Sequence, residues 1–174
     1  MSERSPPKTP RQRQARRAVE SSARKLLQDV HAVAFFNEAR EYQGAADELF
    51  AITNTRPKVH GHRQFDRPLY FLYFHSIELA LKAFLRTNDL PVLHTRRKSH
   101  NLYALYLESR DLGLTIGPRD KFEIENIVQL LDGANEDQGI RYFNLESGAT
   151  ADLSWIREVT AELMRAVEPH VLSV

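Results

Sequence analysis

One predicted helix of this sequence carries a stripe of polar side chains that could contact a charged ligand. The stripe consists of His75, Glu78, Lys82 and Arg86. These positions follow one another at intervals of three and four residues, so on an α-helix they lie within one narrow arc among apolar neighbours. Two interpretations remain open. The stripe is the floor of a groove that binds an anion or a nucleotide, or Glu78 and Lys82 form a structural ion pair that fixes helix packing.

A basic cluster precedes the next predicted helix. It contains Arg96, Arg97, Lys98 and His100. Backbone N–H groups at a helix N-terminus favour anions, so a phosphate could dock there. The alternative is an exposed, solvated loop.

The residues around the stripe and the basic cluster resemble the HEPN family of helical domains. The segment Glu78–Leu85 is similar to the family's Glu-x-x-x-Lys helix, and His100–Leu102 is similar to the His-Asp-Leu start of its next helix. Asn101 stands where the family usually has Asp. The resemblance covers about residues 34–167, although only about thirty of these residues are distinctive.

The same resemblance includes Arg141 and Tyr142, which match an Arg-Tyr element of the family. It implies an up-and-down bundle that often forms homodimers. It also implies RNA cleavage, nucleotide binding or toxin–antitoxin pairing, with an antitoxin or a nucleotidyltransferase-type protein as partner. The ligand-binding residues expected from the stripe, the basic cluster and the resemblance are His75, Glu78, Lys82, Arg96, Arg97, His100, Arg141 and Tyr142.

Family members that cleave RNA carry an Arg-x(4–6)-His motif, whose two side chains act as general acid–base groups without a metal. Three pairs have this spacing here: Arg24 with His31, Arg56 with His62, and Arg165 with His170. Chance alone gives about two such matches in a chain of this composition. Arg165 and His170, at the end of the last predicted helix, are the candidate catalytic pair. The alternative is a helix C-terminus whose carbonyl groups are balanced by a basic side chain.

Composition excludes several classes of site. The chain has no cysteine, which rules out disulfides, cysteine-ligated metals and cysteine nucleophiles. It has no phosphate-binding or dinucleotide-binding glycine motif, so no cofactor is expected. His60 and His62 lie in a polar linker without a fixed metal-binding geometry, so no metal is expected either. No apolar run is long enough to span a bilayer, which predicts no membrane contact and a cytoplasmic location.

Apolar residues recur at helical spacing in five segments, and this pattern predicts an all-α, antiparallel bundle. The first predicted helix runs from about Arg16 to Thr53, with a break or a bend near Gly44. The others run from Arg67 to about Arg86, from an N-cap at Ser99, from about Pro118 to Leu131, and from Thr150 or Asp152 to Pro169. The intervening residues 132–148 are predicted to form an irregular loop.

The first 20 residues are predicted to be a disordered basic arm, and residues 21–174 a single HEPN-like domain. Residues 1–25 hold eight Lys and Arg against two Glu, whereas the whole chain has a net charge of only +1. Such a basic arm is either a solvated leader or a contact for nucleic acid.

Three functions remain open from the sequence. The first is a module that binds RNA or a nucleotide, within a toxin–antitoxin or defence system. The second is a metal-independent ribonuclease toxin. The third is a non-catalytic dimerisation or adaptor domain, in which the polar stripe is only structural.

Overall fold

The computed structural model describes residues 32–59, 63–88, 100–117, 121–136 and 152–173. Within these ranges the chain forms five helices, and the predicted all-α class is confirmed. They are α1 Ala32–Asn54, α2 Asp66–Thr87, α3 Leu102–Asp111, α4 Lys121–Glu136 and α5 Leu153–Leu172. All described residues belong to one compact unit. The predicted basic arm, and the predicted start of the first helix at Arg16, lie outside the described residues.

Helix α2 is the centre of the bundle. Its residues 76–85 are all buried, and it packs against α1, α3 and α5. Apolar side chains cover most of its circumference, which is typical of a helix enclosed by others rather than of a surface helix. The polar stripe therefore lies on the most enclosed element of the fold.

Helix α1 approaches α2 closely because it turns small residues toward it. Ala39 and Ala46 are fully buried, and the hydroxyl of Ser76 donates to the backbone carbonyl of Ala39 at 2.9 Å. A break near Gly44 is not observed, because α1 is continuous through this residue. Nothing lies within 4 Å of the position of a Cβ on Gly44. The glycine therefore faces open space and costs only about 1 kcal/mol of helix propensity, which the packing on α2 offsets.

The start of α3 differs from the prediction. The N-cap is Asn101 and not Ser99, and its side chain accepts a hydrogen bond from the backbone N–H of Ala104 at 2.6 Å. Asparagine and serine both have the short side-chain acceptor that an N-cap needs, so the sequence alone could not separate them. By contrast, Asp152 caps α5 as expected and accepts from the N–H of Ser154 at 2.7 Å.

Two helix ends lie beyond their predicted positions. Helix α4 continues to Glu136, so the first residues of the predicted loop are helical. Helix α5 continues through Pro169 to Leu172. Pro169 has no backbone N–H, so it removes one hydrogen bond from the last turns of the helix. Val167 and Val171 are both buried in the core, and this burial stabilises the helix despite that loss.

Candidate functional site

Glu78 and Lys82 form an ion pair inside the bundle. Their side chains are only 2% and 9% exposed, and the Lys82 ammonium donates to Oε1 of Glu78. The two residues are one helical turn apart on α2, so their side chains meet without distortion of the helix. A buried charge is costly unless it is paired, and here each charge balances the other.

His100 reaches the same carboxylate from the residues that precede α3. Its Nδ1 lies 3.0 Å from Oε1 of Glu78, and 59% of its side chain is exposed. An ionised carboxylate can only accept a hydrogen bond, so Nδ1 of His100 is the donor. The imidazole therefore bridges a buried anion on one side and the protein surface on the other.

His75 completes the group from one turn before Glu78. Its Nδ1 lies 3.9 Å from Oε2 of Glu78, which is longer than a hydrogen bond, so the contact is electrostatic. Tyr42 of α1 meets the His75 ring edge-on at 4.5 Å, and Phe71 stacks against it at 5.9 Å. The two aromatic rings hold the imidazole at the edge of the core, with 27% of its side chain exposed. We call His75, Glu78, Lys82 and His100 the Glu78 cluster.

The cluster determines the charge of its carboxyl group. Burial alone would raise the pKa of Glu78, but His75, Lys82 and His100 together outweigh burial and lower this pKa from 4.5 to about 2. Glu78 is therefore an anion at neutral pH. Arg86 lies one turn beyond Lys82 and is half-buried, so it extends the stripe toward the end of α2.

The N-terminus of α3 is satisfied by groups of the protein itself. Asn101 accepts from the N–H of Ala104, and the buried carboxylate of Asp132 on α4 accepts from the N–H of Leu102 at 2.7 Å. These contacts fix the position from which His100 extends to Glu78. They also mean that these two N–H groups are not offered to an external phosphate, contrary to the expectation for this helix end.

Four residues of the predicted ligand-binding set lie outside the described residues. They are Arg96, Arg97, Arg141 and Tyr142. The structure thus brings together four of the eight predicted residues, namely the Glu78 cluster.

The side chains of the predicted catalytic pair, Arg165 and His170, lie in different parts of the fold. Arg165 lines a groove of about 240 Å³ between α1 and α5, together with Phe36 and Arg40. His170 instead meets the ring of Phe84 on α2 edge-on at 4.9 Å. Residues five positions apart on a helix point about 140° away from each other. The single chain therefore does not unite Arg165 and His170 in one site.

A second polar group, which the sequence analysis missed, joins three helices. Asp47 of α1 accepts hydrogen bonds at 2.8 Å from both the Tyr73 hydroxyl of α2 and Nε of Arg157 of α5. Burial, and then the contact with Asp47, raises the pKa of Tyr73. The arginine also lies over the Phe50 ring at 5.4 Å. A polar residue at a core-facing position of α1 was the available signal, but its partners are 26 and 110 residues away.

Metal and membrane features are absent from the part of the chain that the structure describes. No group of three or more potential metal ligands comes together there. No described helix combines the length and apolarity that crossing a membrane requires. The linker histidines His60 and His62 lie outside the described residues.

Comparison of the chain with known protein families, with curated proteins and with solved structures gives no match.

Proposed function

We propose that this chain is a helical module that binds RNA or a nucleotide through its phosphates at the Glu78 cluster. The observation that carries the proposal is the pair of solvent-accessible imidazoles, His75 and His100, held on one buried carboxylate. Lys82 balances the charge of Glu78, so each protonated imidazole adds a net positive charge to the surface. Imidazolium N–H groups are strong donors to phosphate oxygens.

The HEPN resemblance supports the same residues. Its most distinctive positions are Glu78, Lys82 and His100, which come from two separate segments of the sequence. In the folded chain these three side chains share one carboxylate oxygen, Oε1 of Glu78. A motif whose members meet at one point near the surface is better suited to binding than a motif dispersed through the core.

Binding of a short single-stranded RNA and of nucleoside monophosphates at low salt tests the proposal. The His75→Ala/His100→Ala double variant is expected to bind at least about tenfold more weakly, because two phosphate donors are lost. His170→Ala is the matched control, since this histidine lies on α5 against Phe84 and outside the cluster. Equal affinity of the double variant and the wild type, or no binding at low salt, contradicts the proposal.

The salt dependence of binding provides an independent check. Added salt should weaken binding, because phosphate contacts release counterions. Affinity that is independent of salt argues against phosphate contacts at the Glu78 cluster.

An adaptor domain is the second candidate, and one observation favours it. Glu78 and Lys82 are almost wholly buried and paired, as expected of a structural ion pair. In that case, replacement of His75 and His100 leaves the interactions of the chain unchanged, whereas disruption of the ion pair unfolds it. Because of the HEPN resemblance, we also propose that the chain forms homodimers. It would pair with an antitoxin or a nucleotidyltransferase-type protein in the cytoplasm. Sedimentation analysis of the purified chain tests the dimer.

A further inference from the structure

We infer that the groove between α1 and α5 binds a small aromatic carboxylate. This groove has a volume of about 240 Å³ and shares no residue with the Glu78 cluster. It contains Arg165, which the proposed function leaves without a role. The inference therefore stands apart from RNA binding and is tested separately from it.

The floor of the groove is apolar. Phe36 of α1 and Met164 of α5 line it, and only 3% and 5% of these residues are exposed. A thioether sulfur makes favourable contacts with aromatic rings, and two aromatic rings attract each other in edge-on or offset arrangements. This floor therefore favours a ligand with an aromatic ring over a ligand that is wholly polar.

Arg165 supplies hydrogen-bond donors beside that floor. Its Nε donates to the backbone carbonyl of Ala161 at 3.2 Å, and Ala161 lines the same groove. A guanidinium has five N–H donors, so four remain on Nη1 and Nη2. No residue in the described part of the chain accepts from these four. A planar carboxylate matches them, because its two oxygens accept from two guanidinium N–H groups at once.

The charge of the groove favours a monoanion. Arg40 of α1 and Glu168 of α5 line the groove as well, with Nη1 of the arginine 3.9 Å from Oε1 of the glutamate. These two opposite charges balance each other, so Arg165 provides the remaining positive charge. A carboxylate neutralises this charge. A phosphate group carries nearly two negative charges at neutral pH, which is more than the groove balances.

The volume limits the size of the ligand. Pockets for drug-sized molecules typically have volumes of roughly 300–1,000 Å³, and this groove is smaller. It accommodates one ring with a short acid chain. The ring then rests on Phe36 and Met164 while the carboxylate reaches Arg165. Phenylacetate has this form and is the probe for the test.

The chain itself contains a reporter for the groove. It has two methionines, Met1 and Met164, so methyl-labelled methionine gives two NMR signals that Met164→Leu assigns. Phenylacetate should shift the Met164 signal through the magnetic field of its ring, with saturation at a Kd of about 1 mM or below. The Met1 signal is the internal reference and should stay in place. A Met164 shift that does not saturate, or no shift, overturns the inference.

Variants of the two ends of the groove test how the ligand is held. Arg165→Gln should weaken binding of phenylacetate at least about tenfold, because a charge-assisted contact is lost. Arg67→Gln is the matched control, since Arg67 is an exposed arginine of α2 outside the groove. Ala161→Leu fills the groove and should abolish the Met164 shift. Thermal denaturation verifies that each variant folds.

Removal of the competing carboxylate should have the opposite effect. Glu168→Gln takes a negative charge from the groove, so phenylacetate should bind about two- to fivefold more tightly. A merely apolar groove would not respond to this change. Equal affinity of wild type, Arg165→Gln and Glu168→Gln would contradict recognition of the carboxylate.

Other occupants of the groove give different results. Phenylacetamide, which has the same shape without the charge, should not bind, and inorganic phosphate should not displace phenylacetate. Binding of the amide, or displacement by phosphate at the same concentration, contradicts the assigned class of ligand. A Met164 signal that moves with protein concentration in the absence of ligand would show a second copy of the chain in the groove, and the inference would be wrong.

Discussion

At the scale of single residues, the chemistry of this protein depends on what surrounds one carboxylate. Glu78 is 2% exposed, and burial by itself would favour its neutral form. Lys82, His100 and His75 lie around its two oxygens and keep it ionised. A charged centre of this kind contributes little net stability compared with an apolar one, but the removal of one partner is expensive.

Acid stability tests the ionised state of Glu78. The folded-state pKa of about 2 is below the ordinary value of 4.5, so the carboxylate contributes stability above pH 4.5 and loses it as the pH falls toward 2. The contribution is at most about 3 kcal/mol. Urea denaturation across this pH range should show that Glu78→Gln is less stable than the wild type at pH 7, with a difference that narrows toward pH 2. A constant difference contradicts the lowered pKa.

The ion pair can be tested by a double-mutant cycle. Lys82→Met leaves the Glu78 carboxylate buried without its cation, and we expect a loss of about 3–5 kcal/mol in the free energy of unfolding. The double variant Glu78→Gln/Lys82→Met removes both charges and should be more stable than Lys82→Met alone. Urea denaturation measures all four proteins. Additive losses would show that the two side chains do not interact.

At the scale of helices, the site depends on how α3 begins. The periodicity of apolar residues predicted the five helices, because burial on one face repeats at the helical period. The start of α2 was predicted to within one residue because Pro68 suits the first turn of a helix. The sequence did not predict that α4 continues past Asp132 to Glu136. It also did not predict that the Asp132 carboxylate accepts from the backbone N–H of Leu102, which is 30 positions away in the chain. Ends that depend on tertiary contacts cannot be read from local spacing.

The N-cap of α3 can be tested directly. Asn101→Ala removes the acceptor for the N–H of Ala104 and should cost about 1 kcal/mol of stability. Asn101→Asp keeps an acceptor at the same place, matches the usual residue of the HEPN pattern, and should retain the stability of the wild type. Thermal denaturation compares the three proteins. A stable Asn101→Ala would mean that Asp132 alone holds this helix end.

At the scale of the whole molecule, α2 is enclosed by three helices. Two separate groups of polar side chains link it to them. The Glu78 cluster joins α2 to the start of α3, and Asp47 joins α2 to α1 and α5. The sequence predicted the first group because Glu78 and Lys82 are neighbours on one helix. It could not predict the second, because Asp47, Tyr73 and Arg157 meet only in the folded chain.

We call Asp47, Tyr73 and Arg157 the Asp47 junction, and its hydrogen bonds should contribute to the stability of the fold. Tyr73→Phe removes the hydroxyl that donates to Asp47 and keeps the packing of the ring, so the cost should be about 1–3 kcal/mol. RNA binding at the Glu78 cluster should be unchanged, because no residue is shared. Chemical denaturation and the binding assay check both parts. A loss of RNA affinity without a loss of stability would show that the junction itself contacts the ligand.

The most direct test of the proposed binding site is histidine side-chain NMR during titration with a short RNA. Imidazole resonances of His75 and His100, assigned through the single alanine variants, should shift as RNA is added, whereas that of His170 should not. This result would locate the bound phosphates at the Glu78 cluster. If RNA binds but the His75 and His100 resonances stay in place, the ligand lies elsewhere, and the cluster is a structural ion pair between α2 and α3.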